Sequence, residues 1–344
     1  MKKSYRAVLV GCGGISNAWL KVLLPMENVV LVGMVDLNLS NVDAKIAEHS
    51  LSGVQTGTDL DPMLTDLKPD VVFDCTVPPA HESVVLTALQ HGCHVLGEKP
   101  LAENMSQARK MVAAAEAAGT TYGVMQNRRW HSGIQRLRRA LDQGIIGKVH
   151  TLHSDFFLGC HFGGFREEMK HVLLLDMAIH SFDQVRCLID ALPLSVIATE
   201  WNPPGSWYQH GASATAHFEL ENHCAFSYRG SWCAEGLNTT WECAWRIIGE
   251  RGSLLWDGGD HIEAEVVKGD EGFIRPTEKV EIPPFSLSDT QTGHSGAIHN
   301  FIDCLDAGAV PETPGSDNIH SLAMVHAAIQ SAETGRRVYL SDLL

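Results

Sequence analysis

Two short stretches far apart in the chain carry the residue types of a single catalytic site. Glu98-Lys99-Pro100 closes an apolar run, and Asp176-Met177-Ala178-Ile179-His180 lies in a stretch with helical spacing. Together they supply a lysine, a carboxylate and an imidazole. Such a set can remove a proton from an alcohol while a hydride leaves the adjacent carbon. Hydride transfer leads the other chemistries because a buried-strand pattern at the amino terminus runs straight into Gly11-Cys12-Gly13-Gly14-Ile15-Ser16.

The elements that must hold these residues follow from the apolar pattern. Up to about residue 123, Tyr5 to Val10, Val29 to Val35, Val71 to Cys75 and His94 to Leu96 read as strands buried on both faces. Helical spacing marks Ser16 to Leu24, Ser40 to His49, Pro79 to His91 and Glu103 to Ala118. Alternating β and α elements predict a parallel sheet with helices on both faces, the doubly wound Rossmann layout that binds dinucleotides. Beyond Tyr122-Gly123-Val124-Met125 the texture changes. A helix is expected over Ser132 to Gln143, a strand over Val149 to Phe157 and a helix over Asp176 to Ile189. Then come Leu194 to Trp201, Ala212 to Glu219, Ala225 to Ser231, Trp241 to Gly249 and Ile262 to Val267, successive strands without helices between them. That order predicts an α+β second domain with a large, mostly antiparallel open sheet. Two helices, Gly296 to Ala307 and Asn318 to Thr334, close the chain. The expected domains are 1–123 for the nucleotide and 124–344 for substrate binding and oligomerisation.

In the glycine loop, Gly11 permits the tight turn and Gly13 lets the backbone approach a pyrophosphate. The helix that follows points its free amides at the anion. Ser16 holds the sixth position, where glycine or alanine is usual, and is small enough for close helix-to-strand packing. Asp36 ends the second strand, where its carboxylate can accept hydrogen bonds from ribose hydroxyls. Against a 2′-phosphate it would face like charge, on the order of 4 kcal/mol at ~4 Å and an effective dielectric of ~20. No Arg or Lys occupies positions 37 to 44 to offset this, so NAD is expected over NADP.

Lys99 should emerge at the carboxyl edge of the parallel sheet, where α/β proteins bind ligands. Pro100 restricts the backbone before it and so directs the side chain. Asp176, His180 and Asp183 stand at i, i+4 and i+7, opposite an apolar stripe of Ile179, Phe182, Val185 and Ile189. Asp and His one turn apart could also ligate a metal. The surrounding histidines 150, 153, 161 and 171 match no ligand spacing, and no metal is expected.

The net charge of −15, from 26 Lys and Arg against 41 Asp and Glu, disfavours nucleic acid and anionic membranes as partners. Nine cysteines without a Cys-x-x-Cys pair suit a reducing cytoplasm. Lys2-Lys3 before Leu9-Val10-Gly11-Cys12 imitates a lipoprotein export signal. Its apolar core, Ala7 to Val10, is too short, and cleavage there would delete the first strand. No apolar segment approaches the ~20 residues of a membrane helix.

With these residues in hand, the chain closely resembles the Gfo/Idh/MocA family of oxidoreductases, named for glucose-fructose oxidoreductase, inositol dehydrogenase and rhizopine catabolism. The resemblance runs through Gly11 to Ile15, Thr76 to His81, Glu98-Lys99-Pro100, the Asp176 to His180 spacing and the closing Ser331 to Val338. It implies Lys99, Asp176 and His180 as the catalytic set. It also implies cofactor contacts from Gly11, Cys12, Gly13, Gly14, Ile15, Asp36, Thr76, His81, Glu98 and Lys99, and a homodimer or homotetramer formed through the second domain's sheet. Two departures stand out. Thr76-Val77-Pro78 replaces the common Thr-Pro-Asn, and His171-Val172 replaces a common Gly-Gly before the catalytic helix, placing a titratable ring near the substrate.

The expected reaction is NAD-dependent oxidation of a secondary hydroxyl on a sugar, sugar derivative or cyclitol. Arg128, Trp130, His153, Arg166 and His171 are candidates to face that substrate, with Trp232 and Lys170 beside them. The first alternative is a glycosidase that oxidises the sugar transiently at C3, eliminates the aglycone and returns the hydride. The second is a non-catalytic NAD-responsive regulator, which would have no need of the lysine, aspartate and histidine.

Overall fold

The computed structural model describes residues 3–285, 287–288 and 291–344. Lys2 of the signal-like start lies outside them, and Ala7–Val10 fall within the first strand. The chain forms two compact units, Met1–Trp130 with Leu287–Ile319 and His131–Ser286 with His320–Leu344.

The first unit alternates β1 (Tyr5–Val10), α1 (Ser16–Leu23), β2 (Val29–Val35), α2 (Leu39–Glu48), β3 (Gln55–Gly57), α3 (Leu60–Leu67), β4 (Val71–Asp74), α4 (Pro78–Gln90), β5 (His94–Gly97), α5 (Met105–Ala118) and β6 (Tyr122–Val124). The strands pair in parallel in the order β3-β2-β1-β4-β5-β6. Apolar runs such as Val-Val-Phe in β4 are buried on both faces, as a covered parallel sheet requires. Three elements here were not expected from the pattern. β3 is three residues long, polar and largely exposed at the sheet edge; α3 is eight residues long; β6 is three residues long. The two strands are too short to show a period.

The second unit holds α6 (Ser132–Asp142), β7 (Val149–Phe157), the short α7 (Phe165–Glu168) and α8 (Ile179–Leu188), followed by seven strands. These are β8 (Pro193–Trp201), β9 (Ser213–Leu220), β10 (Cys224–Ser231), β11 (Ala244–Gly249), β12 (Gly252–Trp256), β13 (Ile262–Val267) and β14 (Thr277–Val280). With β7 and a last strand of two residues, Val338–Tyr339, they form one nine-stranded sheet, antiparallel except where β7 and β10 run parallel. Phe182 of α8 meets Phe218, Phe226 and Tyr228 edge-on at centroid distances of 4.9, 6.1 and 5.5 Å, which fixes the face of the sheet that the helix covers.

Two late helices complete the fold. α9 (Gly293–Ala307) belongs to the first unit, while α10 (Gly315–Thr334) starts there and continues in the second. The contiguous division after residue 123 is thereby replaced. Ile298, Phe301 and Ile302 of α9 are buried with Trp19, Phe73 and Met125 in one core, and each such side chain stabilises the unit by about 1.5–3 kcal/mol. No helix among the described residues is long and apolar enough to cross a membrane.

Candidate functional site

At the end of β1, Gly11 has φ +87°, and a Cβ there would lie 2.7 Å from the main-chain carbon and oxygen of Cys75. Only glycine lets β1 and β4 end so close together. Cβ atoms at Gly13 and Gly14 would meet nothing within 4 Å, so these two leave open space for a ligand. Ser16 is fully buried and donates its hydroxyl to Gly13 O at 2.6 Å, doing the packing work of the usual glycine and tying the loop to the helix. No side chain caps α1; the amides of Ser16, Asn17 and Ala18 donate instead to the carbonyls of Gly13, Gly14 and Ile15 at 3.2, 3.4 and 3.0 Å, so the glycine loop runs straight into the helix N-terminus.

Asp36 holds this loop from the next strand. Its Oδ2 accepts the Cys12 amide at 2.7 Å, and its Oδ1 accepts from Asn38 N at 2.8 Å and Asn41 Nδ2 at 3.1 Å. Burial, then the Asp36 carboxylate, push the Cys12 thiol up to about 12, so it stays protonated. Ile15 is exposed. A groove of about 470 Å³ is lined by Gly11, Gly13, Asp36, Leu37, Thr76 and Val77 among others. An open glycine loop that runs into a helix N-terminus and a carboxylate at the strand end fit a dinucleotide.

β4 and β5 end beside β1, Val10 pairing with Asp74 and Asp74 with Gly97, so Thr76 and Lys99 leave the same sheet edge as the glycine loop. Asp74 is fully buried and accepts from Thr76 N at 2.9 Å and Thr76 Oγ1 at 2.5 Å. Burial raises its carboxyl pKa despite the opposing pull of His81 and those bonds. His81 is 1% exposed, its ring nitrogens lying 3.0 Å from Pro100 O and 3.2 Å from Thr76 O. It thus braces the loops that carry Thr76 and Lys99 from behind.

Glu98 is buried too, with Oε1 accepting the Trp19 indole N–H at 2.7 Å and Oε2 the Lys99 amide at 3.1 Å. Lys99 is half-buried, and the peptide joining it to Pro100 is cis. Arg128 is half-buried in the 3₁₀ turn Asn127–Trp130. Trp130 packs on the first unit's core, where a Cβ at Gly296 would come within 2.9 Å of its ring.

In the second unit, Asp176 lies in a π-helical turn, Leu173–Ala178, that leads into α8. The expectation was a plain α-helix from Asp176. The wider winding is a backbone irregularity with no side-chain signature, of a kind that recurs at functional sites. His180 is 6% exposed. Asp183, expected on a polar face with it, is 1% exposed and accepts from Ser321 Oγ at 2.8 Å. The residues of α8 are buried almost all round, and its polar side chains take partners inside the unit.

Arg166 donates from Nε to Asp176 Oδ2 at 2.9 Å. The His171 ring lies 2.6 Å from Glu200 Oε2 through Nδ1 and 3.4 Å from Glu333 Oε1 through Nε2. The Glu200 hydrogen bond above all raises the His171 pKa, against burial. His171 is therefore clamped between carboxylates, a contact that its replacement of a glycine did not foretell.

Two substrate candidates are corrected. His153 pairs with Ser227, while its neighbour Leu152 pairs with Phe226, one of the rings under Phe182. Side chains alternate along a strand, so His153 points to the open face, away from α8 and His180. Trp232 is 1% exposed, stacked edge-on against Phe156 and Phe162 as part of a core. Lys170 is exposed. Among the described residues no group of three or more His, Cys, Asp or Glu is arranged to hold a metal ion.

Residues 5–126 match the model of the oxidoreductase family with an NAD-binding Rossmann fold, and residues 138–340 match the same family's C-terminal alpha/beta domain. The chain is 27% identical to D-apiose dehydrogenase of Paraburkholderia graminis, over 99% of this chain and 91% of that one. It is 24% identical to 1,5-anhydro-D-fructose reductase of Ensifer adhaerens, over 95% and 96%. Its fold is similar to that of an oxidoreductase from Agrobacterium radiobacter solved with NAD+, L-tartaric acid and magnesium. There the TM-score is 0.87 and the identity 21%, covering 99% of this chain and 100% of that one.

Proposed function

Because the chain belongs to the Gfo/Idh/MocA family of NAD-binding oxidoreductases, we propose that it oxidises a secondary hydroxyl of a sugar, sugar derivative or cyclitol. The observation that carries this reading is the shared sheet edge: Lys99 leaves β5 two strands from the glycine loop, within the unit that binds the dinucleotide. Bound NAD+ supplies the hydride acceptor.

His180 takes the hydroxyl proton as general base, the role an imidazole most often fills in catalysis and one that contributes ~10²–10⁴-fold. Lys99 donates to the same oxygen and stabilises its developing negative charge. Asp176, steadied by Arg166, orients the hydroxyl. Similarity to D-apiose dehydrogenase and 1,5-anhydro-D-fructose reductase supports a carbohydrate substrate. The cofactor is NAD rather than NADP, because Asp36 presents a negative charge where a 2′-phosphate would lie. The open face of the nine-stranded sheet, with a groove of about 820 Å³ that includes His153, Asp155, Arg229 and Arg246, is the surface through which copies associate.

The test is a screen of sugars, uronic acids, inositols and glycosides for NADH absorbance and for released aglycone. NADH formed with a sugar or cyclitol supports the reading, and aglycone released without net NADH replaces it with a redox-neutral glycosidase. Lys99→Ala and His180→Ala should each lower kcat by about 10²-fold or more while NAD affinity stays within about threefold. Unchanged turnover in either variant removes that residue from the mechanism.

A further inference from the structure

Glu98 is the hub of a polar cluster drawn from four separate segments of the first unit. Besides the Trp19 indole and the Lys99 amide, it faces the ring of His294, whose Nε2 lies 3.6 Å from Glu98 Oε1. His294 sits in the first turn of α9, almost two hundred positions further along the chain. That turn is seated by Gly296, where a Cβ would come within 2.6 Å of Gln291 O and 2.9 Å of Trp130 Cγ. The close approach brings Asn127 Nδ2 to 3.4 Å from His294 Nδ1. An amide nitrogen only donates, so it meets the acceptor nitrogen of the ring and leaves the ring proton on Nε2, toward Glu98. The edge of the same ring stands against Trp19, at a centroid distance of 6.5 Å.

We propose that His294 is a positioning residue, its Nε2–H aimed from 3.6 Å at the buried Glu98 carboxylate and thereby steadying the turn that presents Lys99. Its consequence for turnover rests on the reading of Lys99 given above; the contact itself does not. Burial alone would raise the Glu98 pKa, but the facing His294 N–H and the Trp19 hydrogen bond, with the charge of Lys99, outweigh it and hold the carboxyl below the usual range. The other titratable groups that face it are Asp74 and Cys75, at the end of β4. Without the His294 N–H, the carboxylate keeps its burial and loses a donor, so it takes up a proton at higher pH.

The experiment uses the full chain with ¹⁵N-labelled tryptophan, the Trp19 indole resonance being identified by its loss in Trp19→Phe. An imidazole beside the indole can itself change charge between about pH 5 and about pH 8, so the comparison is made between variants that lack the ring. In His294→Leu the resonance should move with a midpoint above the usual carboxylate range, and in His294→Gln, which retains a donor, it should hold still because its acceptor stays ionised. If His294→Leu does not fold, His294→Met carries the same test, since it also removes the ring and its donor. A flat profile in His294→Leu, or in His294→Met where that stands in, overturns the proposal. This readout needs no substrate, so it separates failure here from failure of the proposed oxidation. With a substrate from the screen, His294→Leu should lower kcat about tenfold or more, with KM and NADH affinity within about threefold and Gln restoring most of the loss. Equal loss in Leu and Gln overturns the proposal as well.

Discussion

Arg166 reaches Asp176 through a single 2.9 Å hydrogen bond from Nε, while its guanidinium carbon lies 5.2 Å from the centre of the Phe162 ring and 5.0 Å from that of Phe165. The arginine thereby joins the Gly163-Gly164 loop to the π-helical turn that carries Asp176. Cation–π contacts with two rings hold the planar group in place. A charge-assisted bond of this kind is worth ~1.5–3 kcal/mol when buried, but the Arg166 side chain is 37% exposed, so solvent screening trims it. Arg166→Leu should therefore lower kcat/KM by about three- to tenfold, with NAD affinity unchanged. Steady-state kinetics on a substrate from the screen checks this, and a wild-type kcat/KM would show that Asp176 needs no such support.

His171 makes stability depend on pH, in a direction its neighbours decide. Its pKa is raised in the folded chain, chiefly by Glu200, so its contribution is complete below the ordinary histidine value and fades as pH rises through the folded one. His171 also has φ +53°, which asparagine tolerates better than most residues. The difference in Tm between wild type and His171→Asn should be largest in mild acid and shrink toward alkaline pH. A difference that grows with pH would contradict the clamp.

Thiol chemistry should bypass the cofactor loop. Cys12 is 2% exposed with its thiol pushed up to about 12, and burial also raises the neighbouring Cys75. Only the thiolate reacts, so iodoacetamide at about pH 8 should label Cys160, Cys233 or Cys304 and spare Cys12 until the chain unfolds. Peptide mass mapping checks this, and early labelling of Cys12 would mean that the loop opens.

Asp36 both repels a 2′-phosphate and secures the glycine loop, so its replacement has two effects. Asp36→Ser should shift the ratio of NADP to NAD affinity upward by about 10²-fold, below the ceiling set by ~4 kcal/mol at full Coulombic strength. It should also weaken NAD itself by about tenfold, because the Cys12 amide loses its 2.7 Å acceptor. Titration with both cofactors separates the two, and an unchanged ratio would remove the carboxylate as the discriminator.

Much of the nucleotide half was written locally. A buried strand, a glycine loop, a helix and an acidic residue at the next strand's end are all features of short segments, because the steric demand on Gly11 and the charge of Asp36 arise from near neighbours in the pattern. The same holds for Lys99, whose place at the sheet edge follows from one strand and one proline. Strand alternation announced that Leu152 and His153 face opposite ways. It does not say which face α8 covers, and only the packing of Phe182 on Phe226 turns His153 to the open face.

The identity and order of side chains thus determined the alternating elements, the loop that fits a dinucleotide and the chemical types at positions 99, 176 and 180. Tertiary structure alone decided which groups support them. α9 returned His294 to Glu98, α10 supplied Ser321 to Asp183 and Glu333 to His171, and the short α7 brought Arg166 onto Asp176. The physical reason is that a period in sequence records which face of an element is apolar. A buried polar group is satisfied by whatever complementary group the packed chain brings up to it, however distant in sequence.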